Sequence, residues 1–159
     1  MKRDLDKILC GLMTVNGTDL WEEYGVFLVE EKRGGRENQN ALLTPARTKT
    51  TPSVNFREED GRKYPANLRP ASEEREFTLH FAQYADTAEE WVDRYRAFIR
   101  FLKTGKDGWL NMTFRELPGL SMRCFYMEAG TFKALTHLAA QGVQASRYKI
   151  KFKEPNPSF

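Results

Sequence analysis

Histidine and cysteine are scarce in this chain, with two of each among 159 residues. Cys10 and Cys124 are too few for a disulfide scaffold and have no metal-ligand spacing, so they read as buried or half-buried thiols of a protein made in a reducing compartment. His80 and His137 lie far apart in different elements and read as structural residues rather than ligands. His-Glu-x-x-His, Cys-x-x-Cys, Gly-x-Gly-x-x-Gly and Gly-x-Ser-x-Gly are all missing, which removes the common zinc, redox, dinucleotide and serine-hydrolase signatures. Lys103-Thr104-Gly105-Lys106 lacks the upstream glycine of a phosphate loop and follows a helical pattern instead of opening one. No apolar run approaches the ~20 residues that span a bilayer. The piece from Ile8 to Val15 is too short for a secretory leader and is broken by Gly11. Neither sign of charge prevails: 25 basic against 22 acidic residues leave +3, a balance that argues against tight non-specific binding of nucleic acid.

What the chain does have is material for a core. Forty per cent of its residues are apolar and 13% aromatic, including 11 Phe, 6 Tyr and 3 Trp. At this length a folded chain hides roughly 70% of its unfolded surface, so residues 1–159 are expected to form one domain.

The second half is locally clear. Phe77, Leu79 and Phe81 alternate with Glu76, Thr78 and His80 as in a half-buried strand. Thr87 and Glu90 then have capping-box spacing, and acidic residues crowd the start of the helix they open. Trp91, Tyr95, Phe98, Ile99 and Leu102 fall on one stripe of that helix, which ends at Gly105 and is expected to hold the domain together by packing on a sheet. Leu110, Met112 and Phe114 predict a strand, Leu117-Pro118-Gly119-Leu120 a turn, and Met122 to Tyr126 another strand. Residues 132–140 suggest a short helical turn. Tyr148, Ile150 and Phe152 alternate with Lys149, Lys151 and Lys153, and the lysines suit a terminal strand protected against edge pairing.

The first half is less regular. Tyr24 to Glu30 predicts a strand, and Thr51 to Arg57, with Val54 and Phe56, another. Between Glu31 and Pro70 lie four prolines, the pair Gly34-Gly35 and nine Lys/Arg against five Asp/Glu. A polar stretch this long suits an extended arm or long hairpin, at about 31–70, that gains its burial from a neighbouring molecule. Lys32, Arg33, Arg36, Arg47, Lys49, Val54 and Phe56 are its candidate contact residues. The fold class expected is mainly β with one long helix, an antiparallel sandwich or barrel carrying an arm.

Two patterns could carry chemistry. Asp19, Glu30 and Lys32 have the Asp…Glu-x-Lys order of metal-dependent nucleases, where carboxylates hold Mg²⁺ and a lysine stabilises charge on the phosphate. A solvated strand end accounts for the same residues. The basic run Lys32 to Arg36 lacks interleaved aromatics and so offers no stacking platform for nucleic acid. No cofactor or resident metal is expected.

The order of elements resembles the ring-forming domain of siphophage distal tail proteins and, more broadly, the phage tail-tube fold. The matching stretches are Val15-Asn16-Gly17-Thr18-Asp19-Leu20 leading into Glu23-Tyr24-Gly25-Val26, then Glu76 to Phe81, then the helix with Phe98-Ile99-Arg100-Phe101-Leu102. Gly119-Leu120 to Tyr126 and Lys149 to Pro155 match the last strands, so the resemblance runs over residues 12–157. Two departures stand out: the family commonly adds a C-terminal domain beyond the point where this sequence ends, and Glu58-Glu59-Asp60-Gly61-Arg62 stands where a Gly-rich turn often follows the arm. The resemblance implies a non-enzymatic structural protein of a virion tail, made in the host cytoplasm. It would assemble with itself into a ring, hexameric in the family, contact other tail or baseplate proteins, and let DNA pass without specific binding or membrane contact. A non-enzymatic β-rich adaptor module is the runner-up.

Overall fold

A computed structural model describes residues 2–137 and 141–159. Its described elements are α1 (Lys2–Leu9), β1 (Met13–Val15), β2 (Thr18–Asp19), α2 (Leu20–Tyr24), β3 (Val26–Leu28), α3 (Glu37–Leu43), β4 (Arg75–Ala85), α4 (Ala88–Thr104), β5 (Leu110–Phe114), β6 (Ser121–Ala129), β7 (Lys133–Ala134) and β8 (Gln144–Glu154). The strands form a single sheet in the order β2-β1-β5-β6-β8-β4-β3, with β7 added beside β8, and the pairings within it are antiparallel. The expected fold class, mainly β with one long helix, is the one observed, as one sheet curled into a half-barrel.

The curl turns on β6. Its first half pairs with β5 and its second half with β8, with a register shift between Tyr126 and Glu128. An extra residue at such a point bends a strand and strengthens its twist, so one strand serves two differently oriented walls. β4 and β8 run side by side for eleven residues, and period two sorts their side chains. Inside, Phe77 faces Phe152, Leu79 faces Ile150 and Phe81 faces Tyr148. Outside, Glu76 faces Lys153 and His80 faces Lys149.

Because β8 lies between β6 and β4, it is a central strand and not the edge its lysines suggested. Two of those lysines have another role: Lys151 reaches Glu76 at 3.3 Å, and Lys153 reaches Glu74 at 3.2 Å and Glu76 at 3.4 Å. These exposed bridges contribute little individually, but they place opposite charges across a strand pair.

Helix α4 closes the concave side. Thr87 caps it, its hydroxyl accepting the Glu90 N–H at 3.2 Å, while the Glu90 carboxylate turns to Arg94 at 2.6 Å. Phe98 and Leu102 are fully buried, whereas Trp91, Tyr95 and Ile99 are half-buried. The stripe is therefore unequal. Trp91 stacks on Tyr95 at the rim and donates its indole N–H to Ser146 Oγ at 3.0 Å.

Three expectations for the remaining chain need correction. Asp19 caps α2 by accepting the Trp21 N–H, and Gly25 ends that helix at φ 65°, so Leu20–Tyr24 is a helical turn and the strand is only Val26–Leu28. A Cβ at Gly25 would also run into the Tyr84 carbonyl oxygen. Thr51 to Arg57 forms no strand but one isolated bridge, Val54 to Lys63. In the segment expected to be a helical turn, Lys133–Ala134 is a short strand, and residues 138–140 lie outside those described.

Both thiols are free, Cys10 half-buried and Cys124 buried. Burial pushes the Cys124 thiol up to about 12, so it carries almost no thiolate at neutral pH. In native protein at pH 8, a thiol reagent is expected to label Cys10 and leave Cys124 untouched until denaturant is added. Equal labelling of both would contradict the burial.

Candidate assembly surfaces

The chain leaves the body after α3 and returns at β4. α3 has little apolar surface, yet it is fastened tightly. Asn38 and Leu42, one helical turn apart, are its buried residues. The Asn38 amide accepts the His80 N–H at 2.7 Å and donates to the carbonyls of Val29 (2.9 Å) and His80 (3.2 Å), standing in for a strand residue where β3 ends. The irregular stretch expected over 31–70 thus contains a helix folded onto its own domain.

The root of the arm is held by a buried ion pair. Arg75, 7% exposed, donates to Glu154 Oε2 from Nη2 (2.6 Å) and Nε (3.0 Å), with Glu154 only 2% exposed. Its other nitrogen donates to the carbonyls of Leu42 (3.2 Å) and Thr44 (2.5 Å), at the point where the chain departs. The guanidinium also lies 5.1 Å from the Phe159 ring centroid. One side chain therefore joins the end of α3, the start of β4, the end of β8 and the last residue of the sequence.

Beyond this root the arm is open. Backbone bonds Glu73 N–H to Arg47 O (2.7 Å) and Lys49 N–H to Ala71 O (2.8 Å) bring its two limbs together, and Val54 and Lys63 exchange a further pair. From Arg47 to Glu74 no residue is buried, and only Thr51 and Ser53 are half-buried. Val54 is 54% exposed, Phe56 48%, Tyr64 55% and Leu68 60%. Four large apolar side chains on one unsupported loop are an unusual concentration. Tyr64 and Leu68 were not among the sequence candidates, because only the hairpin pairing brings the returning limb beside Val54 and Phe56.

The other candidates are scattered. Lys32 and Arg33 are exposed in the loop before α3, and Arg36 bends back to the Gly35 carbonyl at 2.8 Å. Arg47 and Lys49 contribute their backbones to the root of the hairpin, and their side chains are exposed.

The nuclease pattern does not come together. Asp19 ends β2 at one edge of the sheet order, whereas Glu30 and Lys32 follow β3 at the other. Both Asp19 oxygens accept backbone N–H groups, from Trp21 at 3.1 Å and Gly11 at 2.6 Å. Its neighbours in ligand range are Cys10 and Glu22. Glu30 lies instead against Glu37. Burial pushes the Glu30 carboxyl up, and a hydrogen bond with Glu37 adds to this, while the same bond holds Glu37 below its ordinary value.

The molecule is thus a curled antiparallel sheet with one concave-side helix and an arm projecting from an ion-paired root, and its overall fold is similar to that of a phage adsorption-hub protein of known structure. That protein is SPP1 Dit (gp 19.1), described as a paradigm of the hub adsorption apparatus in phages infecting Gram-positive hosts. The match has a TM-score of 0.53 and 15% identity, and covers 88% of this chain and 48% of that one. This chain therefore spans about half the length of that protein. No protein-family model and no curated protein sequence matches the chain.

Proposed function

We propose that the chain is a structural component of a phage tail or tail-like particle, forming a ring or tube segment by self-assembly in the manner of a distal tail protein. The observation that carries this reading is the arm. Its limbs are zipped at the base and fixed by Arg75, yet they present Val54, Phe56, Tyr64 and Leu68 to solvent. A fold shared with SPP1 Dit over 88% of the chain supports the tail assignment. A head-to-tail contact between an arm and the next body is heterologous, and a heterologous contact whose rotation closes makes a ring. On this reading the ring is hexameric, other tail or baseplate proteins stack on it, and DNA passes through its lumen unbound. The working location is the virion tail, reached from the host cytoplasm. No helix among the described residues is long and apolar enough to cross a membrane.

The test is excision of the arm. Removing residues 33–48 would take away Asn38 and Leu42 and with them part of the core. Residues 48–72 are the better target, because the Arg47 carbonyl and Glu73 N–H already meet and a short Gly-Ser turn can join them. The excised chain is expected to keep its far-UV spectrum and its melting temperature to within a few degrees, but to elute as a monomer in light scattering where the whole chain forms a closed oligomer. An unchanged oligomer after excision would refute the proposal. A whole chain that stays monomeric at high concentration would favour the adaptor module.

A further inference from the structure

Outside the arm, one cluster of cations makes no ion pair with any described residue. A cavity on the outer face of the sheet is lined by Lys133, Arg147 and Lys149 with His80, and on another side by Glu30 and Glu31. Strand register makes the crowding unavoidable: Lys133 lies directly opposite Arg147, and Lys149 follows two residues along the same face of β8. Like charges facing each other across strands repel. Further along the same strand the problem is solved, since Lys151 and Lys153 reach Glu76 and Glu74. Lys133, Arg147 and Lys149 make no ion pair with any described residue.

The complementary pattern sits at the tip of the arm. Glu58, Glu59 and Asp60 are exposed, and Arg57 and Arg62 flank them. Glu59 is engaged with Lys63 at 2.7 Å, whereas Glu58 and Asp60 make no ion pair with any described residue. Acids between arginines match a cavity of cations bordered by carboxylates. The tip does not fill its own molecule's cavity: its side-chain contacts, Glu59 with Lys63 and Arg62 with Ser53, are local. From Arg47 to the tip is about thirteen residues, a reach of up to roughly 43 Å. A body of this length has a radius of gyration of about 15 Å, so such a reach is comparable to the width of one neighbour.

Building on the ring-forming reading, we propose that the acidic arm tip, Glu58 to Asp60, docks into the Lys133–Arg147–Lys149 cavity of a second copy of this chain. The repulsion left unrelieved in one molecule is then relieved by the next, and the order of subunits around the ring is fixed by charge as well as by apolar contact.

Charge reversal in the full-length chain tests this. Arg147→Glu with Lys149→Glu, and separately Glu58→Arg with Asp60→Arg, are each expected to weaken self-association at least about tenfold, as read by light scattering across a dilution series in about 50 mM salt. An equimolar mixture of the two variants, or one chain carrying all four changes, is expected to recover wild-type assembly because the charges are complementary again. Circular dichroism confirms that each variant is folded, and the tip variant alters only exposed positions. The inference is overturned if the cavity variant assembles like wild type, if only one of the two reversals has an effect, or if the mixture and the fourfold variant fail to recover. It is also overturned if wild type retains duplex DNA through the cavity cations while assembly ignores them. Loss of the oligomer on arm excision with no effect of charge reversal would sink this docking alone and leave the ring reading intact. Survival of the oligomer after excision would sink both.

Discussion

Phe98→Ala is expected to cost about 3–5 kcal/mol, the largest loss from any single truncation in the helix, and to lower the melting temperature by roughly 6–20 °C. Phe98 is completely buried on the concave side of the sheet. Its ring meets Tyr24 at 5.5 Å, Phe81 at 5.7 Å and Tyr148 at 6.3 Å between centroids, so it joins α2, α4, β4 and β8. The cavity left by alanine cannot collapse easily, because the surrounding rings are themselves locked between strands paired over eleven residues. Phe98→Leu keeps most of the volume and is expected to lose under about 1.5 kcal/mol. Trp91→Ala, one of the same stripe, removes a larger side chain and yet is expected to lose only about 1–2 kcal/mol, since the indole is half-exposed and gives up one hydrogen bond and two ring contacts, stacked on Tyr95 and edge-on to Phe132. Denaturant titration of the three variants checks the order. Equal losses at Trp91 and Phe98 would mean that the helix is seated differently from the geometry described.

The elements that were legible in the sequence are those whose cause is local. Period two in Phe77–Phe81, Leu110–Phe114 and Tyr148–Phe152 needs only one covered face, and the Pro118-Gly119 turn needs only its own dihedrals, with Gly119 at φ 84°. The cap at Thr87 is equally local. α2 was missed because five residues are too few for a helical period, and because Tyr24 and Val26 alternate through Gly25 as a strand would. α3 was missed for a different reason. Its apolar residues, Ala41-Leu42-Leu43, are too few and too bunched to show a helical period, and besides the burial of Leu42 it is fastened by an asparagine reaching a strand more than forty residues away and by Arg75 at the Leu42 carbonyl, causes with no signature in the local sequence. The central position of β8 was misread likewise: lysines facing solvent look the same on an edge strand and beside glutamates from another strand. As for the candidate surfaces, the polar character of the arm was visible, but its true root and its returning limb were not, since both depend on pairings across the hairpin.

Arg75→Met is the second large effect expected, about 3–5 kcal/mol, and it bears on assembly as well as on stability. Removing the guanidinium leaves Glu154, 2% exposed, with its buried charge uncompensated, which is the costly way to break a buried pair. It also strips a donor from the Leu42 and Thr44 carbonyls at the end of α3, where positive charge is favoured. Pairing the change with Glu154→Leu is expected to recover part of the loss, because two apolar side chains carry no desolvation penalty. The double variant does not restore the tie to Thr44, so its arm is expected to leave the body at a loosened angle. Hydrogen exchange separates the two effects: in Arg75→Met with Glu154→Leu, amides of β4 and β8 should regain protection while those of Thr44 to Lys49 and Ala71 to Glu74 stay fast. Arg75→Lys is an intermediate case, since an ammonium cannot present a planar fork to a carboxylate and two carbonyls at once. If the double variant regained both stability and slow exchange at the root, the arm would be aimed by its own hairpin. If it regained stability alone and assembled poorly, then Arg75 would owe its place to the direction in which it holds the arm, with the fold as a second beneficiary.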